Sequence, residues 1–410
     1  MNRICGFLLI FALAGCVSAR MSDEEPDRMF RRGEYETAAK RFEEGAKKQE
    51  PNGDDLLLYL LDWGLALHQA GKYEESNKVF LRADAIADIK DYTSLADEAA
   101  TLLTSDNIKD YKGEDFEKVL INTYLAINYT LLGKYEDALV EARRVNQKLY
   151  RMVNEGQRKY QQNAFARYLS AVMYEADGNW NDAYIDYQKT WELMPNYPGL
   201  GRDLWRLAWL SKMRDQQDRW DKEFNLTDAD HQAGKDLDPR KGQSEIIVIY
   251  ENGISPKKYP HRTFWSIPVF KPRYNPVSQA NVFIDGEDRG TTAILHDIEY
   301  TAIENLDEKY AGIIAKKLAG VVVKEVVADQ IGKNTHPLIG LGAKLFFYIS
   351  DQADIRSWNL LPRDLQMFRV KVAPGKHTVK LDPVGSDTLP EKTVEVMAGK
   401  KVFCDFRYVP

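Results

Sequence analysis

Gly133-Lys134-Tyr135-Glu136-Asp137-Ala138 is one of four related hexapeptides in the first half of this 410-residue sequence. Each has a glycine, an aromatic residue two positions later and a small residue three positions after that. The shared positions are Gly33, Tyr35 and Ala38; Gly71, Tyr73 and Ser76; Gly133, Tyr135 and Ala138; and Gly178, Trp180 and Ala183. Glycine permits a positive φ between antiparallel helices, and a small residue lets helix backbones approach closely. The motif therefore predicts a stack of helical hairpins.

This motif resembles the tetratricopeptide repeat (TPR), and its last copy ends in Leu193-Met194-Pro195-Asn196. The intervals between the four glycines are 38, 62 and 45 residues, whereas the usual repeat has about 34. The helices are therefore longer or interrupted, and an extra element fits around residues 91–112. The resemblance implies a concave surface that binds peptides or protein segments. A repeat array that serves only as a spacer is the alternative.

The repeat domain is predicted over residues 27–224. Apolar and aromatic residues from Trp205 to Phe224 favour a final helix that caps the array. Residues 225–243 are polar, contain Asp, Gly, Lys and Pro, and predict a linker. A second domain is then expected over residues 244–410.

The second half is rich in strand patterns. Glu245–Tyr250 is a short apolar run with β-branched residues, typical of a buried strand, and Asp285-Gly286 predicts a tight hairpin turn. A second hairpin is predicted around Pro374-Gly375-Lys376-His377. Together these segments resemble a PEGA-type β-sandwich module, although about 70 residues separate its two parts. That resemblance implies a small envelope β domain without catalytic activity.

Two segments of the second half interrupt this pattern. Residues 255–277 combine five prolines with five aromatic residues, which favours an extended path. It is either an edge strand and loop packed on the sheet or a partner-binding loop. A helical insertion is predicted over about 303–350, either as a packed helical hairpin or as an oligomer or bilayer contact. The predicted fold class is thus a TPR-like α-solenoid followed by a β-rich, sandwich-like domain with a helical insertion.

The N-terminus has the layout of a secretory signal peptide: Arg3, an apolar run from Ile4 to Leu13, and then Leu13-Ala14-Gly15-Cys16. The residues before Cys16 resemble the bacterial lipobox. That resemblance implies cleavage after residue 15, acylation of Cys16 and a lipidated tether over residues 16–26. Val17 rather than Asp after the cysteine indicates the outer membrane, with the protein facing the periplasm. An ordinary secreted protein is the alternative.

Composition and motifs argue against several classes of function. The formal net charge of −6 gives no nucleic-acid-binding signature, and 29% charged and 44% hydrophobic residues are ordinary for a globular protein. The six histidines form no short metal-ligand pair, and no phosphate loop or Gly-x-Ser-x-Gly motif occurs. We therefore expect no enzyme, no metal and no cofactor. Cys404 lies in an alternating strand pattern and is expected to be a buried small residue.

Further motifs resemble a family of uncharacterised Gram-negative TPR lipoproteins, for which no activity is established. They include Tyr250–Gly253, Tyr111–Val119 with Val140–Asn146, and Asp354–Pro362. Two groups of side chains are candidates for an interaction. Arg143 and Arg144 are adjacent on a repeat helix. Asp354, Arg356 and Trp358 alternate in an extended segment and form either a buried structural clamp or an exposed recognition patch.

These observations favour a protein–protein interaction scaffold in a cell-envelope complex, anchored in the outer membrane by its N-terminal lipid. The β domain would dock on the repeats or on a second partner, and self-association is an option. One alternative is an oligomeric structural or pore-associated subunit that uses residues 305–349. Another is an activator of an envelope polysaccharide or peptidoglycan enzyme. The identity of the partner does not follow from the sequence.

Overall fold

The computed structural model describes residues 18–93, 110–154, 163–238, 241–262, 265–310, 313 and 353–410. Helices fill the first half and strands dominate the second. The helices are α1 Ala19–Ser22, α2 Glu25–Arg31, α3 Tyr35–Gln49, α4 Leu56–Gln69, α5 Tyr73–Thr93, α6 Asp115–Leu131, α7 Tyr135–Asn154, α8 Ala164–Ala176, α9 Trp180–Leu193, α10 Leu200–Leu210, α11 Arg214–Phe224 and α12 Asp228–Asp236. Residues 298–310 are also helical.

Five helical hairpins stack in sequence: α2–α3, α4–α5, α6–α7, α8–α9 and α10–α11. In the first four, the turn is the predicted glycine, with φ between 70° and 78°. The helix that follows starts at the aromatic position of the motif, as at Tyr135. Backbone hydrogen bonds close each turn; Gly133 N donates to Thr130 O at 3.0 Å and Lys134 N to Tyr129 O at 2.8 Å. The predicted TPR-like first half is confirmed.

The fifth hairpin corrects the prediction of a single capping helix over residues 205–224. Lys212 takes the glycine position with a φ of 61°, and Met213 N donates to Ala208 O as in the other turns. The predicted linker at 225–243 also contains a helix, α12. A capping box between Thr227 and Asp230 starts it, and Gly234 is buried against α10. The pattern did not predict α12, because this helix is short and half-exposed and its sequence is polar.

Small residues bring the helices of a hairpin together. A Cβ added at Gly64 in α4 would lie 2.6 Å from the ring of Phe80 in α5. Ala38, Ala138 and Ala183 are fully buried. These positions belong to one large apolar core that runs from α2 to α11 and continues into the β domain.

The β domain contains two four-stranded sheets and a small hairpin. The strands are β1 Ser244–Asn252, β2 Lys257–Pro260, β3 Pro268–Lys271, β4 Ala280–Ile284, β5 Glu287–Thr291, β6 Ala293–Asp297, β7 Asp364–Val372, β8 Gly375–Pro383, β9 Lys392–Val396 and β10 Lys401–Arg407. The first sheet has the order β10-β1-β7-β6, the second β5-β4-β8-β9, and β2 pairs with β3. Only β1 and β10 are parallel among these pairs.

The first sheet is buried on both faces because the second sheet covers one and the helical repeats cover the other. Every residue of β1 is buried, as its continuous apolar run predicts. Ile246 and Val248 pack in the core between the two sheets. Ile247 and Ile249 point the other way and join the core of the helical repeats.

The structure changes two other predictions. Pro374–His377 joins β7 of the first sheet to β8 of the second, so it is not a hairpin within one sheet. Asp285-Gly286 does form the predicted hairpin turn, between β4 and β5, with positive φ at both residues. The tether predicted over residues 16–26 is folded from Ser18 onward. Arg20 is 2% exposed and pairs with Asp62 at 2.6 Å.

Several predictions fall outside the described residues. They are the signal peptide and Cys16, most of the extra element around 91–112, and nearly all of the helical insertion at 303–350. Among the residues that are described, no helix is long and apolar enough to cross a membrane.

Candidate functional site at the interface of repeats and sheet

The concave side of the helical repeats, which the sequence predicts as a binding groove, holds the first sheet of the β domain. Side chains at alternate positions of β1, β7 and β10 face the helices. The middle of this face is apolar, with Ile247, Ile249 and Phe403. Charged residues occupy both ends of this face of the sheet. At each end they pair with side chains from the helices. We call these two groups the His68 cluster and the Glu175 cluster.

The His68 cluster joins the second and third hairpins to β1 and β10. His68 Nε2 lies 2.8 Å from Glu251 Oε1, and both side chains are fully buried. Gln69 donates to Glu251 Oε1 at 2.6 Å, and Tyr124 donates to Glu251 Oε2 at 2.6 Å. Arg407 Nη1 lies 3.6 Å from the same carboxylate. Glu251 is thus held by four side chains, three of them from the repeats.

Hydrogen bonding fixes the protonation of His68. The amide nitrogen of Asn128 donates to Ser76 and Asn77, so its oxygen faces His68 Nδ1 and accepts a hydrogen bond from Nδ1–H. Nε2 faces a carboxylate and must also carry a proton. Burial alone would lower the pKa of His68, but the charge and hydrogen bond of Glu251, the charge of Asp405 and the hydrogen bond to Asn128 together raise it. Burial alone would raise the pKa of Glu251, but His68, Arg407 and Tyr124 together lower it to about 2.

The same cluster has ligand atoms of the types that bind metals. Nε2 of His68 and one oxygen each of Glu251 and Asp405 lie within 4.8 Å of one another. However, every one of these groups has protein partners; Asp405 Oδ1 accepts from Tyr73 at 3.0 Å and from Lys392 at 2.9 Å. The cations Arg407 and Lys392 already balance the two carboxylates. The residues therefore fit a buried ion-pair network better than a metal site.

The Glu175 cluster joins the fourth and fifth hairpins to the other end of the sheet. Arg206 holds Glu175 with two bonds of 2.7 and 2.8 Å. Arg369 of β7 reaches Glu175 at 3.1 Å and Glu245 of β1 at 2.7 Å. Lys401 of β10 contacts both carboxylates, and Asp203 bonds Arg206 at 2.9 Å. Three cations thus face three carboxylates. Burial would raise the pKa of Glu175, but Arg206, Arg369 and Lys401 hold it well below its usual range.

A third group of contacts holds the segment before β7 against α6. Trp358 N donates to Glu117 Oε1 at 2.7 Å, and Tyr111 donates to the other carboxylate oxygen. Trp358 is 1% exposed and packs against Phe80 and Tyr124. Burial, with the charge of Glu114, raises the pKa of Glu117 to about 7.

The candidate residues Asp354, Arg356 and Trp358 belong to this third group. Arg356 is 3% exposed; it pairs with Asp354 at 2.8 Å and lies 3.4 Å from Asp55. This arrangement is the buried clamp rather than the exposed recognition patch. Glu117 also belongs to this clamp, because it accepts the hydrogen bond from Trp358 N. The sequence did not indicate this role.

The other two candidates, Arg143 and Arg144, lie on the outer side of α7 and are exposed. Arg143 donates to Tyr174 at 3.1 Å, and Arg144 bonds Glu141 at 3.2 Å. Pro195 follows α9 as an exposed turn residue. The repeat-signature residues Gly33, Tyr35, Gly71, Tyr73, Gly178 and Trp180 occupy the turns and helix starts.

Comparison with known proteins gives matches among solved structures. No protein-family model and no curated protein matches this chain. Among solved structures, MamA from Desulfovibrio magneticus RS-1 is 16% identical, with a TM-score of 0.32 over 52% of this chain and 93% of its own. A putative kinesin light chain with TPR-like repeats from Podosopora anserina is 14% identical, with a TM-score of 0.34 over 50% of this chain and 92% of its own. BtubC from P. vanneervenii is 14% identical, with a TM-score of 0.35 over 51% and 78%. These values carry no argument about function.

Proposed function

We propose that this chain is a lipid-anchored scaffold of the cell envelope, placed at the outer membrane and facing the periplasm. The anchor is Cys16, as the lipobox-like sequence implies. The observation that carries the scaffold function is the filled groove. Because the β domain occupies the concave side of the repeats through buried charges, this protein presents its outer surface to partners and keeps a fixed shape.

The outer side of α7 is the surface that we propose for the protein partner. Val140 is 40% exposed and Tyr150 67% exposed, and the cations Arg143 and Arg144 lie on the same helix. Exposed apolar and aromatic residues beside arginines are typical of interface anchors. The described residues contain no arrangement that supports catalysis in preference to this function.

The anchor is tested in cells by fractionation and by mass spectrometry of the N-terminal peptide. We expect the wild-type protein in the outer-membrane fraction with an acylated Cys16, and Cys16→Ser in a soluble fraction. An unmodified Cys16 in a soluble wild-type protein would contradict the anchor without affecting the argument about α7.

The partner surface is tested by crosslinking in intact cells with the double variant Val140→Glu/Arg143→Glu. We expect an envelope partner that crosslinks to the wild type to be lost from this variant. Met397→Glu is the matched control, because Met397 is 68% exposed and lies in the β9–β10 turn. Equal crosslinking of all three proteins would reject α7 as the binding surface.

A further inference from the structure

In the proline-rich segment, β2 and β3 place Lys257, Tyr259 and Lys271 on one outward face. In β2, Lys258 points inward, where it contacts Glu114, so its neighbours Lys257 and Tyr259 point outward. In β3, Phe270 points inward and packs on Phe116. Lys271 is opposite Lys257 in the strand register and points outward. The ammonium groups of Lys257 and Lys271 lie 5.9 and 5.2 Å from the ring of Tyr259. We call these three residues, together with Trp265 and Tyr274, which are exposed in the same segment, the hairpin surface.

The aromatic residues of the hairpin surface are unusually accessible. Tyr274 is 83% exposed, Tyr259 38% and Trp265 37%. Tyrosine and tryptophan combine an apolar body with a polar end, and they are enriched where proteins meet the headgroup region of a membrane.

The charge of this segment is opposite to that of the chain as a whole. Residues 255–277 contain five lysines and arginines and no carboxylate, although the chain has a formal net charge of −6. Two of the five cations contact other parts of the protein. Lys258 pairs with Glu114, and Arg273 donates to Ser255 O at 2.6 Å. Lys257, Arg262 and Lys271 are left on the outside, where they complement an anionic surface.

A chain of side-chain contacts connects the inner side of the β2–β3 hairpin to the first described residues of the chain. Ser18 donates to Asp55 at 2.7 Å, Asp55 lies 3.4 Å from Arg356, and Lys258 donates to Arg356 O at 3.2 Å. On the other side, Asn359 links Met21 to Arg273. Cys16 is only two residues before Ser18, a span of at most about 7 Å. A lipid on Cys16 would therefore hold the bilayer near the β2–β3 hairpin, which carries this surface.

We infer that the hairpin surface rests on the anionic lipid surface of the membrane that carries the Cys16 anchor. This inference rests on the proposed anchoring. The lipid restrains one point, and the aromatic rings and lysines supply a second contact in the headgroup region. Two contacts fix the orientation of the molecule, so that the outer side of α7 keeps a constant direction relative to the membrane.

The first experiment measures membrane binding without the anchor. Cys16→Ser protein without residues 1–15 is titrated with vesicles of phosphatidylethanolamine and phosphatidylglycerol and, separately, of phosphatidylcholine. We expect binding to the anionic vesicles to fall by at least about tenfold in Tyr259→Ser/Trp265→Ser/Tyr274→Ser, and similarly in Lys257→Glu/Lys271→Glu. The matched control Ile185→Ser/Val384→Ser/Met397→Ser removes three exposed apolar side chains elsewhere and should bind as the parent does.

The second experiment replaces cellular acylation by chemistry, so it gives a result even if cells do not lipidate Cys16. Protein that begins at Cys16 is coupled through this thiol to a maleimide lipid in anionic vesicles that contain brominated acyl chains. Only Cys16 reacts, because Cys404 is buried and burial raises the pKa of its thiol to about 12. We expect quenching of tryptophan emission that Trp265→Phe largely removes and Trp209→Phe leaves in place.

Equal vesicle binding by the hairpin variants and the control, or quenching that does not depend on Trp265, would overturn the membrane contact. A protein partner that binds the hairpin surface while vesicles do not would also overturn it. Neither outcome affects the anchoring itself, which the fractionation of Cys16→Ser tests separately.

Discussion

Glu251 shows how one side chain can hold two domains together. It is fully buried, and its neighbours include two cations, His68 from the repeats and Arg407 from β10. A buried charge that loses its partner costs far more than an exposed one, because no water replaces the lost interaction.

We therefore expect Glu251→Gln to lower the free energy of unfolding by about 3–5 kcal/mol. Urea titration followed by circular dichroism measures this change. Glu36→Gln is the matched control, since Glu36 pairs with Lys72 in a bridge whose side chains are 62% and 41% exposed. It should cost no more than about 1 kcal/mol. Similar costs for the two variants would contradict the role of Glu251.

The same pair gives the stability a dependence on pH. The pKa of Glu251 is lowered to about 2 from 4.5, so its contribution is present above pH 4.5 and is lost as the pH falls towards 2. The pKa of His68 is raised above 6.5, so its contribution is present below pH 6.5 and is lost as the pH rises through the raised value. Stability from this pair is therefore greatest between these limits.

We expect Glu251→Gln to flatten both the acid and the alkaline side of a plot of unfolding free energy against pH, because it removes the partner of His68 as well. Urea titrations at a series of pH values measure this. Glu36→Gln should keep the wild-type slopes. Unchanged slopes in Glu251→Gln would show that other groups cause the pH dependence.

Sequence reasoning could not find this site. His68, Glu251 and Asp405 are separated by 183 and 154 residues, and each lies in an ordinary helix or strand pattern. The signal that was available is the pair of carboxylates at the two ends of the apolar strand β1, at Glu245 and Glu251. Charged residues at the ends of a strand that is buried on both faces need partners from a second domain.

Among the elements, the fifth hairpin was missed because its turn carries Lys212 where the other four carry glycine. A residue with a Cβ is strained at a φ of 61°, and the lysine side chain is exposed and gains nothing there. The predicted four hairpins were recognisable since their turns have both the glycine and the aromatic residue.

Lys212→Gly is expected to raise the free energy of unfolding by about 0.5–1 kcal/mol, because glycine adopts this conformation without strain. The reverse change at an equivalent turn, Gly133→Lys, should lower it by about 1–2 kcal/mol, although no atom lies within 4 Å of the added Cβ. Thermal melts of the two variants provide the comparison. A destabilised Lys212→Gly would mean that the lysine makes a favourable contact.

A second prediction for an element concerns the packing of α4 on α5. Alanine is the better helix former by about 1 kcal/mol, but Gly64→Ala places a methyl group 2.6 Å from the buried ring of Phe80. Overpacking of this kind costs about 1–3 kcal/mol, so we expect a net loss of stability. Phe80→Leu in the same chain should recover part of it, as chemical denaturation would show. A Gly64→Ala variant that is more stable than the wild type would contradict this account.

Across the whole molecule, one apolar core extends through the repeats into the first sheet, and it includes Phe80, Trp358 and Ile247. The sequence predicted both domains, and the docking of the β domain on the repeats was one of two options. The sequence could not decide between docking on the repeats and docking on a second partner. The repeat motif specifies how hairpins stack, and it does not specify what fills their concave side.

We expect calorimetry of the wild-type protein to show a single unfolding transition, because neither domain can leave the interface without exposing buried charges. Arg369→Met weakens the Glu175 cluster and should separate the transition into two. Arg41→Met is the control, because Arg41 is exposed and pairs with the exposed carboxylates of Glu25 and Glu44. Two transitions in the wild type would show that the domains unfold independently.

The parallel pairing of β10 with β1 also has a consequence for biogenesis. Lys401 meets Glu245 across 156 residues of chain, so a ribosome releases the neutralising partner of Glu245 long after β1 has been made. During synthesis, the side of the repeats that faces the sheet stays uncovered, with Glu175 lacking Arg369 and Lys401. Until β7 and β10 arrive, chaperones and proteases meet an incomplete protein, and their access ends when the last strand joins the sheet.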